Sequence, residues 1–235
     1  MPASWIQQSG QFLLDLLLPP RCFHCEAAGS WLCDECFNQI QFIDTAVCHR
    51  CGTPIDATLK CQQCFIHPLQ YIDGIRSAAY FDDNPIRSAI HQLKYRNHKA
   101  VAAVLAQFLA DTVARHQLAA DVIVPVPLHR SRQKARGYNQ SYLLAKHLGD
   151  LLNLPVNTTT LERTRQTKSQ MSLGVQERRQ NVADAFAAHN NRLAGQRVFL
   201  IDDVCTTGAT SDACAAALKA GNAATVWGLT LAKAL

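Results

Sequence analysis

Along residues 67 to 235 short apolar runs alternate with longer stretches of helical period. YIDGIRSAAYF (71 to 81) reads as a strand of alternating burial. Asn84-Pro85 supplies an N-cap and a first helical position for PIRSAIHQLKYR, and KAVAAVLAQFLADTVARH continues as a second helix. DVIVPVP (121 to 127) is apolar enough for both faces to be buried, as in a parallel sheet. It runs through the basic, glycine-containing loop LHRSRQKARGYNQ into the helix SYLLAKHLGDLL. LPVNTTTLERT predicts a further strand. RTRQTKSQMSLG lacks an apolar period, and Ser172 is a candidate cap for a helix through VQERRQNV. VFLID predicts a second doubly buried strand, SDACAAALKA a helix stopped by Gly221, and AATVWGLTLA the closing strand. The alternation predicts an α/β fold, a parallel sheet flanked by helices.

The first 66 residues follow another pattern. SWIQQSGQFLLDLLLPP sets Trp5, Ile6, Phe12, Leu13, Leu16 and Leu17 near helical spacing and ends at Pro19-Pro20, an amphipathic helix without the basic flank of a secretion signal. No apolar run approaches the ~20 residues of a membrane span. Eight of the ten cysteines then form four C-x-x-C pairs: Cys22 and Cys25, Cys33 and Cys36, Cys48 and Cys51, Cys61 and Cys64. Four thiolates close a tetrahedron around Zn2+, so the pairs predict two structural zinc centres, either as consecutive ribbons or as an interleaved cross-brace. A disulfide framework is the rival, opposed by the lack of a secretion signal. With four thiolates per ion, His24 and His49 are read as surface or supporting residues, while Cys205 and Cys214 are read as buried thiols and Trp227 as core. The expected division is therefore an amphipathic helix with a double zinc ribbon over 1–66 and the α/β unit over 67–235.

Charge follows the same division. The net charge of +5 splits into −3 over residues 1 to 64 and +8 over the rest. The acidic module is a poor match for a phosphate backbone and a better one for protein docking.

The candidate chemistry lies in VFLIDDVCTTGAT (198 to 210). A buried strand ending in Asp202-Asp203 puts two carboxylates at the carboxyl edge of the sheet, where open α/β sheets bind ligands. Thr206, Thr207, Gly208, Ala209 and Thr210 then offer hydroxyls and backbone N–H groups at a helix start, suited to a phosphate. Carboxylates accept hydrogen bonds from vicinal sugar hydroxyls and hold Mg2+, so the two halves together fit a ribose 5-phosphate. The stretch resembles the phosphoribosyl pyrophosphate (PRPP) signature of type I phosphoribosyltransferases, and ARGYNQS resembles their pyrophosphate loop, with Arg136, Gly137 and Tyr138 as its core and Lys134 beside it. This resemblance implies a lid over the ligand, with Arg163, Arg165, Lys168 and Gln170 as candidates, and an acceptor hood for which Lys94 and Arg96 are candidates. Solvated helix-end charge explains the hood residues equally well.

Over its whole length the chain resembles the ComF/GntX family of bacteria. The leucine-rich helix ending PPRC, the cysteine pairs, HQLKYR, VPVPL, RGYNQ, RTRQTKSQ with RRQNV, and IDDVCTTGAT carry the resemblance. It implies a cytoplasmic phosphoribosyltransferase-like protein that binds PRPP with Mg2+, with Asp202, Asp203, Arg136, Arg163 and Lys168 nearest the chemistry. Its implied setting is the import of transforming single-stranded DNA beside a helicase-type uptake motor. A PRPP sensor without turnover and a single-stranded DNA adaptor are the alternatives, and nothing in the sequence specifies an acceptor or a general base.

Overall fold

The computed structural model describes residues 19–56, 61–96, 98–165, 182, 184–189 and 191–234. The leucine-rich helix before Pro19, Lys168, Gln170, Ser172 and all but the last residue of the helix expected through 175–182 lie outside the described residues. No helix among the described residues is long and apolar enough to cross a membrane.

Two short helices, α1 (Asp34–Phe37) and α2 (Gln62–Ile66), sit in the cysteine-rich module. Strand β1 (Gly74–Tyr80) follows, then α3 (Pro85–Tyr95) and α4 (Val101–Arg115). As the sequence predicts, the Asn84 side chain caps α3 by accepting from the Ile86 N–H at 2.9 Å. Next come β2 (Val122–Pro125), α5 (Arg130–Arg136), α6 (Gln140–Leu152), β3 (Leu161–Arg163) and β4 (Phe186–Ala188). The chain closes with β5 (Arg197–Cys205), α7 (Ala209–Ala220) and β6 (Thr225–Lys233).

Four strands form one parallel sheet in the order β1-β6-β5-β2, while β3 and β4 pair antiparallel apart from it. Side chains of β5 alternate between two apolar layers. Phe199 and Ile201 join Leu93, Leu105, Leu109, Leu144 and Leu148 from α3, α4 and α6, whereas Val198 and Leu200 join Cys214, Ala215 and Leu218 from α7. Cys205 and Cys214 are the buried thiols expected of them.

The segment 154–164, expected as one strand, is broken in two: Val156 makes a single parallel bridge to Ile123, and only Leu161–Arg163 forms a strand, β3, paired with β4. Asn157 then turns the chain, its side-chain oxygen accepting from the N–H groups of Thr159 and Thr160. The stretch 128–140, expected as a loop, contains α5. That helix buries none of its residues, so it leaves no apolar stripe to read, and it is held by His129 at its start and left-handed Gly137 at its end.

β1 is buried on both faces instead of alternating, because the cysteine-rich module covers its outer edge. Ile43 N–H donates to the Ala78 carbonyl, Tyr80 N–H to Gln41 and Ile75 N–H to Arg50, each at 2.9 Å. Unpaired backbone groups of a lateral strand are thereby satisfied by the module. The module straddles the edge: Phe23 and Ile40 join the layer of α3 and α4, while Cys48 and Cys51 join the layer of α7. Trp227, expected in the core, is instead half-buried under this junction, with the Arg76 guanidinium 5.0 Å from its ring centre and His49 edge-on at 5.4 Å.

The junction is tight at Gly52, where φ is +68° and an added Cβ would stand 2.4 Å from the Ile75 carbonyl oxygen. Gly52→Ala should destabilise the protein by about 1–3 kcal/mol, read as a lower urea midpoint, because the contact is with backbone that cannot swing away.

Candidate functional site

The two zinc centres form from consecutive pairs. The sulfurs of Cys22, Cys25, Cys33 and Cys36 lie within 4.8 Å of one another, and so do those of Cys48, Cys51, Cys61 and Cys64. Sγ separations of 3.6 Å (Cys25 to Cys33), 3.7 Å (Cys48 to Cys64) and 3.5 Å (Cys51 to Cys61) approach the edge of about 3.8 Å that a tetrahedron of ~2.3 Å Zn–S bonds requires. The grouping selects ribbons over the cross-brace. Burial and then the neighbouring thiols push the Cys36 and Cys64 thiols above their ordinary range, the conflict that a bound divalent cation removes. Beside the second centre lies buried Arg76, whose Nη1 donates to the carbonyls of His49 at 3.0 Å and Ile75 at 2.8 Å. Its positive charge opposes the net negative charge of a Zn2+ held by four thiolates. His24 is exposed, within 2.9 Å of the Ser88 hydroxyl, and neither histidine is in a thiol cluster.

At the carboxyl end of β5 the acid pair is wired to both neighbouring helices. Asp202 Oδ1 accepts from the Asp203 N–H at 2.9 Å and from the Ser141 hydroxyl, at the start of α6, at 3.1 Å. Asp203 is buried, and its Oδ1 meets the Lys94 ammonium, near the end of α3, at 2.9 Å. Its Oδ2 is buried with no hydrogen-bond partner among the described residues. Burial works against the Lys94 charge, but the charges of Asp203 and Asp202 outweigh it and raise the Lys94 pKa. Burial, and then the charge of Asp203, push the Asp202 carboxyl up to about 7, against the pull of Lys94 and its hydrogen bonds. Lys94, a hood candidate on sequence, is thus the counter-ion of the acid pair, while Arg96 lies exposed at the C-cap of α3.

The phosphate-type turn follows. Gly208 adopts φ +81° at the N-cap of α7, and an added Cβ would stand 2.9 Å from Ile75 Cδ1 and 3.0 Å from Leu69 Cδ1. Buried Thr207 accepts from the Ala209 N–H at 3.3 Å, while Thr206 and Thr210 are half-exposed. Two residues that the sequence reading passes over hold this turn. Lys233, fully buried at the end of β6, donates to the Thr206 carbonyl at 2.7 Å, and Asp212 accepts from the N–H groups of Gln70, Tyr71 and Ile72 at 2.8–3.1 Å. A lone lysine inside the apolar run LTLAKAL is the signal for Lys233.

The cations gather on the α6 side. Arg136 donates to Gln140 and stands 5.5 Å from the Tyr95 ring centre. Tyr138 is buried, its hydroxyl donating to the Leu93 carbonyl, so it anchors the turn at exposed Gly137 to α3. Arg163 is buried against Phe186 at 5.2 Å. Burial and then the Arg132 charge lower its pKa, with Arg165 adding to the repulsion and Asp202 opposing it. Arg132 and Arg165 therefore both act on the Arg163 guanidinium, which also feels Asp202, and cations held this way suit a polyanion. Lys134 is exposed on α5, and Arg130 is tied to Glu162 at 2.9 Å.

A parallel α/β sheet flanked by helices and walled at one edge by two zinc-ribbon centres of four cysteines each is the class of protein that these elements define. The chain belongs to the ComF/GntX family. Residues 13–65 match the model of the double zinc ribbon domain. The chain is 33% identical to competence protein F of Haemophilus influenzae over 81% of its length and 86% of that protein. It is 31% identical to the DNA utilization protein YhgH of Escherichia coli, over 90% and 96%, and 26% identical to competence protein ComFC of Bacillus subtilis, over 85% and 83%. Among solved structures it is similar to the glutamine PRPP amidotransferase of B. subtilis, with a TM-score of 0.43 and 19% identity over 60% of this chain and 30% of that one. It is also similar to a purine phosphoribosyltransferase of Pyrococcus horikoshii, with a TM-score of 0.35 and 18% identity over 55% and 70%.

The acid pair can be probed through stability alone. Because the folded pKa of Asp202 lies above its unfolded value, its ionisation costs stability as pH rises from about 4 to about 7, and the cost is constant above that. The near-isosteric Asp202→Asn, whose oxygen still accepts both hydrogen bonds, should be more stable than the parent at pH 8 by thermal melting, the gain shrinking toward pH 4. Lys94→Met leaves the buried Asp203 charge without its cation and should cost about 2–4 kcal/mol by urea unfolding, most of it recovered on adding Asp203→Asn.

Proposed function

We propose that the protein binds PRPP at the carboxyl edge of β5 and transfers its phosphoribosyl group to an acceptor, releasing pyrophosphate, in the handling of imported single-stranded DNA. The observation that carries the reading is Asp203 Oδ2, a buried carboxylate oxygen with no hydrogen-bond partner among the described residues, on the carboxylate whose other oxygen meets Lys94. A buried acceptor of this kind is costly unless a ligand hydroxyl meets it. The relatives named for competence and for DNA utilization support the DNA side.

In this reading the Thr206 to Thr210 turn and the first N–H groups of α7 take the 5-phosphate, since a helix start leaves such donors without intrahelical partners. Asp202 and Asp203 accept from the ribose hydroxyls, with Lys94 keeping the pair from repelling an anionic ligand. Mg2+ arrives with PRPP as part of the substrate. Arg136, Arg163 and Arg165 face the pyrophosphate, and Lys168 and Gln170, outside the described residues, are the remaining lid candidates. The bond from C1 to the pyrophosphate oxygen breaks with its electron pair going to pyrophosphate. A lone pair of the acceptor forms the new bond to C1, and the acceptor's proton passes to solvent. The guanidinium cluster stabilises the departing negative charge more in the transition state than in the bound substrate, which is what accelerates the step.

Calorimetric titration with PRPP and Mg2+ should show saturable binding that Asp202→Asn with Asp203→Asn abolishes. Pyrophosphate release should then depend on one member of a pool of bases, amines and single-stranded DNA. Unchanged affinity in the double variant would sink the site assignment. Tight binding without release would leave a PRPP-responsive binding protein.

A further inference from the structure

The second zinc ribbon reaches the candidate phosphate turn through side chains that neither the zinc centre nor the acid pair uses. Gln63 sits on α2 between two ligands of the second centre, Cys61 and Cys64, and the Thr53 hydroxyl stands two residues past a third, Cys51. That hydroxyl donates to Gln63 Oε1 at 2.7 Å, and Gln63 Nε2 donates onward to the Thr206 carbonyl at 3.4 Å. The same carbonyl receives the Lys233 ammonium at 2.7 Å, so it is held from two sides, one of them the ribbon. The last bond of the relay is long, but the packing beneath it is continuous. Cys48, Cys51, Leu69, Ile75, Cys205 and Ala209 belong to one buried apolar cluster, with Cys61 and Cys64 against it.

What the carbonyl does fixes what the turn presents. In a planar trans peptide the C=O of Thr206 and the N–H of Thr207 point in opposite directions. A carbonyl drawn toward Lys233 and Gln63 therefore turns the Thr207 N–H the other way. Were the carbonyl free to rotate, it would set its negative end where a phosphate needs a donor. Gly208 adds to the demand for one geometry, since its positive φ and its approach to Ile75 and Leu69 leave the turn little room.

We infer that Thr53 and Gln63 are positioning residues through which the second zinc centre holds the Thr206 peptide in its phosphate-binding orientation, so that zinc occupancy there and phosphoribosyl affinity are coupled. The inference rests on the proposed binding of PRPP. Neither residue touches the ligand. The coupling is reciprocal by thermodynamic necessity: whatever factor the zinc adds to ligand affinity, the ligand adds to zinc affinity.

The test uses the full, zinc-loaded chain with ribose 5-phosphate and PRPP–Mg2+ as probes. Gln63→Glu keeps the size of the side chain and its acceptance from Thr53, but sets a carboxylate oxygen against the Thr206 carbonyl. Binding should weaken about 10-fold while two zinc ions per chain are retained. Thr53→Val should weaken it in the same direction, and Thr53→Ser, which restores the hydroxyl, should return the parental affinity. A role in packing alone would not produce that rescue. In competition against a chelator, saturating ribose 5-phosphate should tighten retention of one of the two zinc ions in the parent and leave it unchanged in Gln63→Glu. Parental affinity in both Gln63→Glu and Thr53→Val overturns the relay alone. Failure of the parent to bind either probe overturns the relay together with the reading beneath it.

Discussion

The outer edge of β1 is the constraint around which the protein is arranged. A parallel sheet must be covered on both faces, and its lateral strands carry backbone groups that need partners. Here the partner of β1 is the cysteine-rich module, through the carbonyls of Gln41 and Arg50 and the N–H of Ile43. A module of that size cannot build a sufficient core of its own, so metal supplies what burial does not. Its two halves fall on opposite faces of the sheet, and each donates apolar side chains to a layer the helices have started. The ribbons are therefore as much a wall of the α/β unit as an appendage to it.

Covering that edge has an electrostatic consequence. Four cationic side chains are largely withdrawn from solvent: Arg76, Lys94, Arg163 and Lys233. Each stands by a particular negative group: the thiol cluster and its backbone carbonyls, Asp203, the field of Asp202, and the Thr206 carbonyl. Burying a charge is tolerated only with such compensation. Three of the four lie at the carboxyl ends of strands or near the end of α3, so that edge is rigid before any ligand arrives. Preorganisation of this sort matters for an anionic ligand, whose stabilisation comes from charges that need not move when it binds.

How much of this is legible in the sequence varies with the range of the interactions involved. The zinc pairs and the IDDVCTTGAT turn can be read because their chemistry is local, with ligands and spacing lying in the same short stretch. Asn84-Pro85 is legible for the same reason. Helix α5 escapes notice because it buries nothing, so the apolar period that marks other helices is absent; its ends, His129 and Gly137, carry it instead. The double burial of β1 is hidden because it depends on a module that lies earlier in the chain. The roles of Lys94 and Lys233 cannot be read from spacing at all: each is 27 residues or more from its partner, and only the crossing of strands brings them together.

The HQLKYR stretch shows how far one helix end can integrate these layers. On successive residues of α3, Gln92 donates to the Phe23 carbonyl of the first ribbon, Leu93 enters the core while its carbonyl accepts from Tyr138, and Lys94 meets Asp203. Tyr95 then stacks under Arg136. The directions differ because a helix turns about 100° per residue, so four consecutive side chains fan out over its circumference. One helical turn thereby touches the zinc module, the core, the acid pair and the basic segment. A change at any one of these positions displaces a rigid element that the other three share, so its effect should not stay local. This is why a stretch that reads in isolation as an ordinary basic helix terminus is structurally the point where the two parts of the chain are held in register.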